Sequence, residues 1–174
     1  MKKIEEYVRS IPDFPKEGIV FRDITSVLQD ADGFHLAIDE LKERIKDIDF
    51  DVIVGAESRG FILGAPLAYD MHKPMILIRK KGKLPCETVS QEYELEYGSA
   101  TIEIHKDAIK KGQKAVLVDD LIATGGTLEA SVKLIERLGG KVVKIVCLME
   151  LSGLKGREKL AGYDVSSVIR YEGK

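Results

Sequence analysis

The sequence predicts an α/β fold: a parallel-centred sheet flanked by helices. Three observations carry this expectation. Apolar runs of strand length recur at 51–55, 75–79, 114–120, 141–149 and 165–171. Segments with helical spacing lie between most of them, the pattern of a parallel sheet covered on both faces. The chain has 174 residues, 44% hydrophobic and 32% charged, enough for one domain, 1–174, with a real core.

The elements follow in order. "MKKIEEYVRS" sets Ile4 and Val8 one turn apart and predicts a short amphipathic helix over 2–10. In "IPDFPKEG", Pro12, Pro15 and Gly18 forbid regular structure. From about Gly33 to Asp47, Phe34, Ala37, Ile38, Leu41 and Ile45 recur at spacings of three or four and predict a helix, with Asp32 as its N-cap. "DVIVGA" is the first buried strand, and "GFILGAPLAYDM" is a helix that tolerates Pro66 early in its run. "MILIR" and "KAVLVDD" are the second and third strands. Leu128, Val132, Ile135 and Leu138 share one face of a helix over 128–138, stopped by Gly139-Gly140. "KVVKIVCLM" is the fourth strand and "VSSVIRY" the fifth.

Residues 80–105 break this rhythm. "YELEYGSATIEI" alternates like a half-exposed hairpin turning near Gly98-Ser99. An excursion of that length within an α/β domain reads as a functional flap. No internal repeat or low-complexity tract interrupts the rest.

Charge narrows the function classes. With 27 basic and 29 acidic residues the net charge is −2, so nothing marks a nucleic-acid binder and any anion site must be built locally. Cys86 and Cys147 form no metal-ligand spacing and suit a reduced, cytoplasmic setting. No apolar run is long enough to cross a bilayer, and the N-terminus lacks a signal-peptide core. His35, His72 and His105 are scattered and read as structural.

The chemistry concentrates in "VLVDDLIATGGTLEA", 116–130. Asp119 and Asp120 close an apolar strand, and ligands collect at such strand ends. Ala123, Thr124, Gly125, Gly126 and Thr127 then turn into a helix, where free amides and the helix dipole favour an anion. The glycines let backbone approach a phosphate, and the threonines add hydroxyl donors. Neither GxxxxGK[ST] nor GxGxxG is present. Acids beside a phosphate cradle make sense when the ligand carries both hydroxyls and phosphate, a phosphorylated sugar. The plainer alternative is a tight strand–helix connection with the acids as solvated caps. Ser58 and Arg59 in "GAESRGF" form a second polar turn, either a helix cap or an oxyanion site. "RKKGK", 79–83, is either a solvated basic run or a third anion contact at the same sheet end.

The 116–130 stretch resembles the 5-phosphoribosyl-1-pyrophosphate (PRPP) motif of the type I phosphoribosyltransferase family. "IPDFPKEGIVFRDIT", "ESRGF", "IRKKGKLP", "YELEYG" and "LSGLKGREKL" resemble, in the same order, the adenine-specific branch of that family. The resemblance implies the type I phosphoribosyltransferase fold, with a small N-terminal hood over about 1–30 and a flexible hairpin flap over about 80–105. It implies transfer of the 5-phosphoribosyl group from PRPP to N9 of adenine, giving AMP and pyrophosphate, with Mg²⁺ carried on PRPP and water. Asp119 and Asp120 would hold the ribose hydroxyls, and residues 123–127 the 5′-phosphate. Ser58, Arg59, Arg79, Lys80 and Lys83 would hold pyrophosphate. Phe21 would stack on the base while main-chain groups of Val20 and Arg22 face its edge; a 6-oxopurine would leave those groups unpaired. Glu96 and Tyr97 would come over the reacting centre on flap closure, Glu96 helping manage the purine proton. A homodimer is expected by the same analogy, and "LKGREKL" is expected as a surface helix. Two alternatives use the same fold: a regulator sensing PRPP or purines, and a 6-oxopurine phosphoribosyltransferase. The intact flap and the lack of a basic DNA-reading helix weigh against the first, and "FPKEGIVFRD" against the second.

Overall fold

Apolar runs with no polar face have to be buried on both sides, and five of them form the parallel part of one seven-stranded sheet. The computed structural model describes residues 2–95 and 97–173. Its elements are β1 (Arg9–Pro12), β2 (Val20–Asp23), α1 (Thr25–Leu28), α2 (Ala31–Glu43), β3 (Val52–Ala56), α3 (Arg59–Asp70) and β4 (Met75–Lys80). The flap follows as β5 (Thr88–Glu94) and β6 (Ser99–His105), then β7 (Lys114–Ile122), α4 (Gly126–Arg137), β8 (Lys141–Leu151) and β9 (Val165–Tyr171). The large sheet has the order β5-β6-β4-β3-β7-β8-β9, and β1 and β2 form a separate antiparallel ribbon.

Alternate residues of each central strand feed two cores. Val52, Val54, Ala115 and Leu117 face Leu128, Leu134 and Ile135 of α4. Ile53, Val116 and Val118 face Leu41, Leu63 and Leu67 of α2 and α3. Period-two alternation thus sorts one continuous apolar strand between two helical layers.

The sheet order reverses between β3 and β7. The chain leaves β3, crosses through α3 to β4, and later returns to β7 on the other side of β3. The connections leaving β3 and β7 therefore diverge at their carboxyl ends, which opens a crevice there.

Several expectations need correction. The 2–10 helix is a single 3-10 turn, Ile4–Tyr7, and Val8 is already extended. Two apolar residues one turn apart cannot sustain a longer helix. Pro12 ends strand β1, opposite Val20, where regular structure was not expected. A two-stranded ribbon has free edges, so a missing N–H is tolerated. Helix α2 starts two residues early and is capped by Asp30, not Asp32: the Asp30 carboxylate accepts from the amides of Asp32 and Gly33, both at 3.0 Å. It ends at Glu43, yet Ile45 is fully buried because tighter turns carry the apolar face onward. The hairpin is partly scaffold: β6 pairs with β4 at Arg79↔Glu103 and Lys80↔Ile102, and Ile102 and Ile104 are core residues. "LKGREKL" is not a surface helix but a pair of 3-10 turns, Ser152–Leu154 and Gly156–Leu160, with Gly156 and Leu160 buried.

Candidate active site

The crevice at the strand-order reversal is a cavity of about 370 Å³. Its walls are the β3–α3 connection (Glu57, Ser58, Arg59), the end of β7 (Asp119, Asp120, Leu121), the turn into α4 (Ala123 to Leu128) and Lys80 from β4.

The acids lie within the last four residues of β7, which runs on to Ile122. Both are buried. The Asp120 amide donates to Asp119 Oδ1 at 2.8 Å. Burial first, and then the adjacent Asp120 charge, push the Asp119 carboxyl well above the ordinary aspartate range. Asp120 has a cationic neighbour: Arg59 Nε donates to its Oδ2 at 2.5 Å. That hydrogen bond is the main cause raising the Arg59 guanidinium above its ordinary value. Arg59 stays 52% exposed, so it can exchange this carboxylate for an incoming anion at modest cost.

The turn into α4 needs glycine at one position. Gly125 sits at φ 84°, ψ −2°, as the N-cap of the helix. The first amides of α4 have no carbonyl a turn below them, so they face the crevice as donors. Leu128, Ser131 and Leu134 anchor the far side of that helix in the core. Thr127 Oγ1 donates to Tyr93 Oη at 3.2 Å, which ties the turn to flap strand β5.

Opposite, Glu57 knits two basic segments. Its Oε2 accepts from the Lys80 amide at 2.8 Å and from Arg79 Nε at 3.4 Å. The Lys80 amide is the main cause holding the Glu57 carboxyl below the ordinary range.

The sequence-derived residues divide accordingly. Ser58, Arg59, Lys80, Asp119, Asp120 and residues 123–127 line one cavity. Arg79 and Lys83 do not line it; Arg79 Nη1 donates to the Lys83 carbonyl at 3.5 Å. Val20, Phe21 and Arg22 lie on β2, outside the cavity; at the end of that strand hydrogen bonds from Thr25, ahead of the Arg9 and Arg59 charges, hold the Asp23 carboxyl below the ordinary aspartate range. Phe21 is 39% exposed and stands edge-on to Phe14, centroids 5.4 Å apart. The Arg22 guanidinium packs over Tyr171 at 4.0 Å, which ties the ribbon to β9. Tyr97 is exposed at the flap tip. Glu96 lies outside the described residues.

Residues 25–171 match the family model described as "Phosphoribosyl transferase domain". The chain belongs to the phosphoribosyltransferase family. Within that family it is similar to adenine phosphoribosyltransferase of Lachnoclostridium phytofermentans, 70% identical over 174 residues and the full length of both chains. It is also similar to the crystal structure of adenine phosphoribosyltransferase from Thermoanaerobacter pseudethanolicus, with a TM-score of 0.93, 54% identity, and 97% and 98% of the two chains covered. The Saccharomyces cerevisiae adenine phosphoribosyltransferase, solved with adenine and an imino-altritol bisphosphate, aligns at a TM-score of 0.89 with 38% identity over 95% and 96% of the chains. The phosphoribosyltransferase fold expected from the sequence is the fold observed, mostly parallel sheet and flanking helices included.

Sequence reasoning missed four contributors. Glu57 stood in the quoted "ESRGF" and was passed over as the residue before the turn. Tyr93 opens the quoted "YELEYG", and nothing in that pattern reports its contact with the turn. Gly156 and Arg157 were read as surface helix. The available signal was Glu150, an acid directly after the apolar run 141–149, where a carboxylate continuing a buried strand calls for a cation partner.

Proposed function

We propose that the chain transfers the 5-phosphoribosyl group of PRPP to N9 of adenine, releasing pyrophosphate and forming AMP. The single observation that carries this is the crevice itself: an acid pair and a left-handed glycine turn opening a helix, facing an arginine turn across about 370 Å³. The full-length relatives named adenine phosphoribosyltransferase support the choice of base.

The residues divide the work. The amides and threonine hydroxyls of 123–127 bind the 5′-phosphate. The ribose 2′- and 3′-hydroxyls donate to Asp119 and Asp120, whose charge also steadies the positive sugar as its C1′–O bond breaks. Arg59 leaves Asp120 for the departing pyrophosphate, joined by Ser58 and Lys80, with Arg79 and Lys83 outside the cavity lining. Adenine N9 closes on C1′ from the face opposite the leaving pyrophosphate while the ring N–H proton passes to a base, Glu96 by the family resemblance, so configuration inverts. Phe21 stacks on the base, and the main chain of Val20 and Arg22 reads its edge. Glu96 and Tyr97 act from the flap, which excludes water from the activated sugar; for Glu96 the family resemblance alone supports this.

Magnesium fits the donor set as a guest carried by PRPP. Among the described residues no group of three or more His, Cys, Asp or Glu side chains could hold an ion alone. A hard ion that keeps its water suits two carboxylates plus phosphate oxygens. When bound, it would supply positive charge to the leaving pyrophosphate oxygens. A homodimer is the proposed assembly: Ile62 and Tyr69, seven residues apart on α3, are 41% and 90% exposed. Light scattering at the chain mass alone, at assay concentration, would remove it. Among the described residues no helix is long and apolar enough to cross a membrane, and a cytoplasmic setting is proposed from the two free cysteines.

Pyrophosphate release with PRPP and a panel of adenine, hypoxanthine, guanine and xanthine tests the reading. Release with adenine alone is expected. Release with a 6-oxopurine alone, or with no base, contradicts it.

A further inference from the structure

The 5′-phosphate turn has a back wall. A Cβ placed on Gly125 would lie 2.5 Å from the carbonyl oxygen of Gly156, and one placed on Gly156 would lie 2.4 Å from the carbonyl oxygen of Ala123. The Gly156 position also approaches the Gly125 amide nitrogen at 3.1 Å. Two stretches of backbone, about thirty residues apart in sequence, thus lie against each other with no room for a side chain on either.

Gly156 is fixed in place from both sides. Lys155 before it is left-handed, at φ 54° and ψ 33°. Arg157 after it forks onto Glu150: Nε donates to Oε1 at 2.8 Å and Nη2 to Oε2 at 2.7 Å. Its Nη1 donates to the Val165 carbonyl at 2.8 Å. Glu150 is 3% exposed and takes a further bond from Ser167 Oγ at 2.8 Å. In the sheet register Glu150 on β8 stands opposite Ile122, the residue from which the turn leaves β7. The clamp therefore holds Gly156 to the same rung of the sheet that launches the phosphate turn. A bidentate arginine–carboxylate pair fixes angle as well as distance.

We propose that Gly156, pinned by the Arg157–Glu150 pair, is a positioning residue that presets the 5′-phosphate turn before ligand arrives. It touches no substrate and acts through Ala123 and Gly125. The proposal rests on the reading of residues 123–127 as the phosphate site.

Gly156→Ala tests it. The new methyl, 2.4 Å from the Ala123 carbonyl oxygen, has to push the turn by about 1 Å to reach ordinary contact. A misplacement of that order at a positioned anion site lowers AMP affinity and raises KM for PRPP by roughly 10- to 100-fold. KM for adenine, set at the separate hood, stays within about threefold. Arg157→Lys keeps the charge but loses the fork, so it shifts PRPP in the same direction and less far; it carries the test if Gly156→Ala does not fold. Ile45→Val, in the remote α2 core, controls for lost stability and leaves both KM values unchanged. An unchanged AMP affinity in Gly156→Ala, an equal loss for adenine and PRPP, or the same PRPP shift in Ile45→Val overturns the proposal. Ribose 5-phosphate titration separates the two readings. If the wild-type chain releases no pyrophosphate, the enzymatic reading fails; a ribose 5-phosphate affinity that still drops in Gly156→Ala keeps the back wall, and an unchanged one removes it.

Discussion

Replacing Asp120 with asparagine removes one charge and almost no volume, so its consequences can be worked from the site. The pair to Arg59 is lost, but Arg59 is 52% exposed and keeps its hydration. The fold should therefore lose no more than about 1 kcal/mol. The ligand loses more. A hydroxyl bonded to a carboxylate is worth about 1.5–3 kcal/mol against about 1 for a neutral acceptor. One weakened diol bond and less stabilisation of the positive sugar lower kcat/KM for PRPP by roughly 10- to 100-fold. Binding of adenine, at the hood, changes by less than about twofold. A second signature follows from Asp119. Its carboxyl is held high first by burial and then by the Asp120 charge, and asparagine removes the second cause. If ionised Asp119 receives the diol, the acid limb of kcat/KM for PRPP moves to lower pH. Steady-state kinetics over pH with each substrate varied reads both effects. A PRPP parameter within twofold of wild type, or equal losses for PRPP and adenine, would refute the reasoning.

Two further perturbations probe other parts of the account. Phe21→Ala removes an aromatic side chain of the hood that is 39% exposed. Base stacking is worth about 1–3 kcal/mol, so KM for adenine rises roughly 5- to 150-fold while KM for PRPP holds; a PRPP-only effect would take Phe21 out of the base site. Glu150→Gln tests the clamp by pH. The Arg157 hydrogen bond is the first cause holding the Glu150 carboxyl below the ordinary glutamate range. A depressed folded value means the stabilisation is full above the ordinary glutamate range and is lost as pH falls through the folded value. Glu150→Gln thus costs about 1–3 kcal/mol at neutral pH, discounted because Arg157 is 42% exposed. Urea midpoints should fall less steeply on acidification than in wild type; parallel curves would contradict the assignment.

The large sheet was readable because its strands are buried on both faces. Val52 to Val54 and Ala115 to Val118 admit no polar alternation, and only a covered sheet satisfies them. The acid pair and the glycine turn were readable for a local reason: charge at a strand end and positive φ at Gly125 are written in neighbouring residues. What stayed hidden depends on contacts between distant segments. Nothing near Gly156 in sequence reports that Gly125 lies against it. The Arg157–Glu150 fork spans a turn that looks polar and helical by composition. Pro12 in a strand and Asp30 as a cap were missed at a finer level. The first depends on which edge of the ribbon stays unpaired. The second depends on which of two nearby aspartates reaches the free amides.

The account turns on where the sugar phosphate sits, and a crystal structure with AMP measures that directly. The 5′-phosphate should lie against the amides of 124–127, with the ribose hydroxyls on Asp119 and Asp120 and Arg59 freed from its carboxylate. AMP held elsewhere, with the Arg59–Asp120 pair intact and the turn empty, would contradict it.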